Sequence, residues 1–148
     1  MERLLIAAAL VAVVAAVALV LRRRSNVDSP TQAKHLVPTQ LDRKDFPGAD
    51  HDWLLAVFTS ATCTTCADVI RKANVSASTA VAVAEVEWGA NRALHERYRI
   101  DAVPTTVLAD RSGVVRASFL GPVTATDLWA AVAEAREPGS SPEPQLGQ

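Results

Sequence analysis

Two cysteines, Cys63 and Cys66, stand three positions apart in the segment Ala61-Thr62-Cys63-Thr64-Thr65-Cys66. Thiols at i and i+3 on a first helical turn are close enough to bridge, so the pair could cycle between dithiol and disulfide. The thiolate is the nucleophile in such exchange. A helix starting at Cys63, capped by Thr62 and running to about Lys72, would set unpaired backbone N–H groups and the helix dipole against the Cys63 sulfur. That placement favours Cys63 as the attacking thiol. Cys66, one turn in and more buried, would resolve the mixed disulfide. A Cys-x-x-Cys alone also fits half a zinc site, a copper site or two small buried residues. The three histidines, His35, His51 and His95, are scattered, form no ligand pair with the cysteines and read as exposed. A structural zinc usually takes four ligands, and a stapled mini-domain needs several bridges. No metal and no cofactor beyond the dithiol itself is therefore expected.

The elements that must position this pair follow from pattern. Trp53 to Thr59 is a short apolar run bounded by polar loops and reads as a buried strand just before the dithiol. Val69 and Ile70 give the following helix its inward face. Thr79 to Glu87 alternates and reads as a second strand, ended by Trp88 and Gly89. Asn91 to Tyr98 is a short helix with Leu94 and Tyr98 on one face. Pro104 precedes a strand from Thr105 to Ala109, and a turn at Asp110 to Gly113 leads into an antiparallel return from Val114 to Leu120. Thr124-x-x-Asp127 is a capping pattern for a last helix with Leu128, Val132 and Ala135 inward. The order implies a mixed sheet flanked by helices, with the first two strands parallel and the last two a hairpin. Trp53, Trp88 and Trp129 read as packing residues.

From about Leu54 to Ala135 the chain resembles the thioredoxin superfamily. The resemblance rests on the strand before Cys63-Thr64-Thr65-Cys66, on Val103-Pro104-Thr105, on the turn at Gly113, on Gly121 and on the closing helix. It implies a cis Val103–Pro104 bond lying against the dithiol. It also implies that the Val103 backbone pairs with an extended substrate segment, with Thr64 and Thr65 beside it. The motif departs from Trp-Cys-Gly-Pro-Cys: Thr62 stands for the Trp and Thr64-Thr65 for Gly-Pro. Lacking a charged residue between the cysteines, the pair is expected nearer the reducing end of the scale. The buried acid that many relatives carry aligns with Val57. Proton transfer at Cys66 then needs water or another group, with Glu85 and Glu87 as candidates by position, although both read more simply as solvated strand ends.

Outside this region, Leu4 to Leu21 is an unbroken apolar run of 18 residues. As a helix it spans about 27 Å, close to the ~30 Å hydrocarbon core. Arg22, Arg23 and Arg24 follow, where a signal-peptidase site would otherwise lie, so residues 1–24 read as an uncleaved single-pass transmembrane anchor rather than a signal peptide. The arginines, with Lys34, Arg43 and Lys44 beyond, place the following domain in the cytoplasm by the positive-inside rule. A signal anchor with its N-terminus inside would place it outside the cell. Residues 25–35 read as a linker, 36–136 as the thioredoxin-like domain and 137–148, rich in Pro and Ser, as a disordered tail.

With a formal net charge of −1 and few aromatics, the chain lacks the basic surplus and stacking platform of a nucleic-acid binder. The expected activity is membrane-tethered thiol–disulfide exchange by a monomer. Its partners are protein thiols or disulfides, an unidentified electron donor or acceptor, and the bilayer through residues 4–21. The alternatives are a non-catalytic thioredoxin-fold binding module and a redox sensor.

Overall fold

The computed structural model describes residues 36–140. The expected span at 4–21, the linker and the tail beyond Ser140 lie outside them. Among the described residues no helix is long and apolar enough to cross a membrane.

A 3-10 turn, Arg43–Asp45, precedes β1 (Trp53–Thr59), α1 (Cys66–Asn74), β2 (Val81–Glu87), α2 (Arg92–Arg97), β3 (Thr105–Asp110), β4 (Val115–Leu120) and α3 (Ala125–Arg136). The strands form one sheet in the order β2-β1-β3-β4. β1 runs parallel to β2 and antiparallel to β3, and β3 pairs antiparallel with β4. The mixed sheet, the parallel first pair and the closing hairpin all match the sequence pattern.

β1 is central and covered on both faces, so it reads as a continuous apolar run rather than an alternating one. Leu54, Ala56 and Phe58 point to one side, into a core with Leu41, Phe46, Tyr98 and Ile100. Leu55 and Val57 point to the other, onto Val69 and Ala73 of α1 and Leu128, Ala131 and Val132 of α3. The segment before β1, which shows no period, supplies Leu41 and Phe46 to the first core and a bridge from Gln40 to Val114. Arg43 in this segment is buried rather than a free flanking charge. Its guanidinium donates to the carbonyls of Asp110 (2.9 Å), Gly48 (2.8 Å) and His51 (3.1 Å).

Several boundaries shift by a residue or two. β2 starts at Val81 because Ser78 and Val81 close a turn before it. Thr124 caps α3 as expected, accepting from the Asp127 N–H at 3.1 Å. Residues 137–140 form an exposed turn folded back on that helix, with Gly139 N–H donating to Glu134 at 2.8 Å.

Candidate active site

The largest correction concerns the dithiol helix. It begins at Cys66, not Cys63, and Thr62 does not cap it. Residues 60–63 are used instead in a turn closed by Cys63 N–H on the Ser60 carbonyl (3.1 Å), and the first helical bond runs from Val69 N–H to Thr65 O (3.2 Å). Thr64 and Thr65 are β-branched and lose side-chain freedom in a helix, which disfavours starting it earlier. The Thr62 hydroxyl lies 3.3 Å from Ser60 Oγ.

Cys63 thus sits in the loop immediately before the positive end of α1 and is half-buried, while Cys66 is 4 % exposed on the face that carries Val69 and Ala73. A disulfide joins them, with their Cα atoms 5.5 Å apart. The asymmetry matches an accessible attacker and a sheltered resolver. Thr64 and Thr65 are exposed, and the Thr65 hydroxyl lies 3.8 Å from Cys63 Sγ. Asp68 in the first turn would oppose a thiolate, but Lys72 (2.6 Å) and Arg71 pair with it. Those contacts, the Lys72 hydrogen bond foremost, hold its carboxyl below the usual range.

The Val103–Pro104 bond is cis. Pro104 is buried, and its carbonyl accepts from Gly121 N–H at 2.8 Å, tying the loop to the end of β4. Val103 and Thr62 line the same cleft, so the proline loop and the dithiol loop face each other.

Val57, at the position of the relatives' buried acid, is fully buried, and its register partner on β3 is Thr106. The Thr106 hydroxyl is fully buried with no hydrogen-bond partner among the described residues. Sequence reasoning passed over it because a Thr in a strand signals only β-propensity. Glu85 and Glu87, the proposed proton carriers, are committed elsewhere. Glu85 accepts from the Thr59 hydroxyl at 2.9 Å. Glu87 accepts from the amides of Ala61 (3.2 Å) and Ala90 (2.9 Å). Hydrogen bonds from the amides of Gly89, Ala90 and Ala61 keep the Glu87 carboxyl below its ordinary range.

His95, expected at the surface, lies in the core. Far from exposed, its ring is 1 % accessible and packs between Phe58 and Trp88. Trp88 both packs on it and remains 39 % exposed. His51 is half-buried, and His35 lies outside the described residues. Among the described residues no group of three His, Cys, Asp or Glu is placed to hold a metal ion.

The chain is similar to a mutant thioredoxin from Halobacterium salinarum NRC-1, at 25% identity and TM-score 0.50, over 58% of this chain and 76% of that one. It is also similar to a thioredoxin-fold protein from Helicobacter pylori, at 15% identity and TM-score 0.51, over 64% of this chain and 82% of that one. A third is the germline-specific thioredoxin Deadhead from Drosophila melanogaster, at 22% identity and TM-score 0.51, over 58% and 83%. The fold is that of the thioredoxin superfamily. No family model and no curated protein matches the chain. The thioredoxin fold and the bridged Cys63–Cys66 pair fit a thiol–disulfide oxidoreductase at a general level.

Proposed function

We propose that the chain is a membrane-tethered protein-disulfide oxidoreductase working mainly as a reductant. The observation that carries this is the asymmetric pair, accessible Cys63 bonded to sheltered Cys66 on a thioredoxin fold. The Cys63 thiolate attacks one sulfur of a substrate disulfide, forming a mixed disulfide and releasing the first substrate thiolate. The Cys66 thiolate then attacks Cys63 Sγ, forming the internal disulfide and releasing the second. Two electrons pass to the substrate, and an external dithiol donor must return them. Val103 and cis Pro104, with Thr64 and Thr65, are the residues against which an extended substrate would lie. The pair needs no other cofactor for this chemistry. Neutral Thr64 and Thr65 offer a thiolate little stabilisation, which supports a reducing potential.

Residues 4–21 have the length and composition of a bilayer span, and Arg22, Arg23 and Arg24 favour a cytoplasmic domain. Thiols are kept reduced in that compartment, in keeping with a reductant.

The test is the reduction potential of the full chain in detergent micelles, equilibrated in thiol buffers. A reversible two-electron couple closer to about −270 mV than to about −120 mV is expected. Cys63→Ser should abolish turnover, and Cys66→Ser should accumulate mixed disulfides at Cys63. No reversible couple above about −300 mV would leave only a structural or binding role.

A further inference from the structure

We propose that the Thr65 hydroxyl is the side-chain donor that stabilises the Cys63 thiolate, and so sets how readily that cysteine attacks. This rests on the exchange reading and deepens it by assigning a further residue to the same site.

Thr65 occupies the N-cap position of α1, where a threonine hydroxyl ordinarily accepts from the N–H of the second or third helical residue. Here it makes no such bond. The reason is local. A capping residue is typically extended, whereas Thr65 has φ −98° and ψ −13°, in the helical region. Its hydroxyl lies instead 3.8 Å from Cys63 Sγ. With Cys63 in a disulfide that sulfur carries no hydrogen, so the hydroxyl is the donor. The contact is long, and a disulfide sulfur is a feeble acceptor. Reduction changes the acceptor and not the donor. A thiolate carries a full charge, and hydrogen bonds to ionised groups are roughly twice as strong as neutral ones. The contact therefore favours thiolate over thiol and lowers the pH at which Cys63 becomes nucleophilic.

Among the described residues no other side chain hydrogen-bonds to Cys63 Sγ. Of the neighbouring hydroxyls, Thr62 Oγ1 lies 3.3 Å from Ser60 Oγ, and Thr64 is exposed. The acids around the loop can only oppose a thiolate. Asp68 on α1 is paired with Lys72 and Arg71. Glu87 on β2 accepts from the N–H of Ala61, two residues before Cys63, and Glu85 accepts from Thr59. Asp101 lines the cleft shared by Thr62 and Val103. Lys72 is held by Asp68 and by the Val123 carbonyl at 2.9 Å. The resemblance would place a proline at Thr65, which has no hydroxyl, so this donor belongs to the chain's departure from Gly-Pro. A hydroxyl in reach of water offers less than a charge, which keeps the pair toward the reducing end.

The test uses the full chain in detergent micelles carrying Cys66→Ala, which leaves Cys63 as the only thiol. Iodoacetamide is the probe: the thiolate sulfur bonds to its methylene carbon, and iodide leaves with the electron pair of the carbon–iodine bond. The pH–rate profile gives the midpoint of thiolate formation. Thr65→Val should move that midpoint upward, so that below it the thiolate fraction falls about three- to tenfold. Thr65→Ser should keep the parental profile, and Thr64→Val should leave it unmoved. A merely structural role would shift the urea midpoint and leave the pH midpoint in place.

A Thr65→Val profile no different from that of Thr64→Val would overturn the proposal, as would a Thr65→Ser profile shifted as far as Thr65→Val. Alkylation reads Cys63 alone and needs no substrate disulfide. A Thr65-dependent profile in a chain whose potential shows no reversible couple would therefore defeat the exchange reading while sustaining this one. A reversible couple with an unmoved profile would do the reverse.

Discussion

Glu87 illustrates how much at this site is decided by single residues whose partners are backbone atoms. Its carboxylate spans two loops, accepting from Ala61 just before the dithiol and from Ala90 beside Trp88. Glu87→Gln replaces one acceptor oxygen with a donor, so one of these amides must be released. Exchange of the Ala61 and Ala90 amide hydrogens should quicken by about five- to tenfold, with the core amides of β1 unchanged, as hydrogen-exchange mass spectrometry or NMR would read. Uniform quickening across β1 would instead mean that Glu87 supports the whole fold. Acidification should mimic the variant: the folded Glu87 carboxyl is held below its unfolded value, so its grip is complete above that value and lost as pH falls through the folded one. None of this was legible in the sequence, because every residue carries an N–H and nothing marks Ala61 or Ala90 as partners. The same holds for His95, whose imidazole is anchored by the carbonyl of Val86. Cys63, Cys66 and the Val103–Pro104 pair were legible because their chemistry resides in the side chains and in proline itself.

Among the elements, the β3–β4 hairpin is the most heavily fastened. Asp110 accepts from Ser112 N–H (2.9 Å), Ser112 Oγ (2.8 Å), Val114 N–H (3.0 Å) and the Arg116 guanidinium (2.7 Å). Burial alone would raise its carboxyl, but the Ser112, Arg116 and Val114 contacts outweigh that and hold it below the usual range. With the folded pKa depressed, its stabilisation is present above about pH 4 and lost as pH falls further. Asp110→Asn should cost about 1–2 kcal/mol at neutral pH and flatten the acid slope of the urea midpoint. An unchanged slope would remove Asp110 from the acid response.

Gly113 in the same turn has φ of 81°, and a Cβ there would stand 1.9 Å from the Leu41 carbonyl oxygen. Leu41 N–H in turn donates to the Gly113 carbonyl at 2.8 Å. Gly113→Ala should therefore cost roughly 2–4 kcal/mol in chemical denaturation, through both the left-handed backbone and the lost approach of Leu41. The turn itself was readable from Asp110-Arg111-Ser112-Gly113. The segment that packs on it was not, because Leu41 and Phe46 are isolated apolar residues with no period between them. The helix start failed for a related reason: a Thr before a Cys resembles a cap, but the turn at Ser60 delays the helix to Cys66.

At the scale of the molecule, the parallel first pair and the closing hairpin follow from apolar runs that pattern alone exposes, β1 above all. The expected cytoplasmic placement of the domain can be read from its C-terminal end. A reporter fused after Gln148 and active only in the cytoplasm should give signal, whereas signal only from an externally active reporter would reverse the orientation. Of the charges used for that expectation, Arg43 belongs to the interior of the domain rather than to a membrane flank. The orientation therefore rests on Arg22, Arg23, Arg24 and the lysines nearby.

The burial of Arg43 has a mechanical side. Together with Leu41 it fastens the incoming chain where β1 begins and β3 ends, while Cys63 lies past the other end of β1, about 20 Å along the strand. Tension arriving from the N-terminal side would meet the Leu41–Gly113 pairing and the Arg43 guanidinium, with its three carbonyl partners, before it reached β1. The reactive end of the sheet lies beyond those anchors. Tugging on such a domain would move its sulfur without reshaping the loop that holds it.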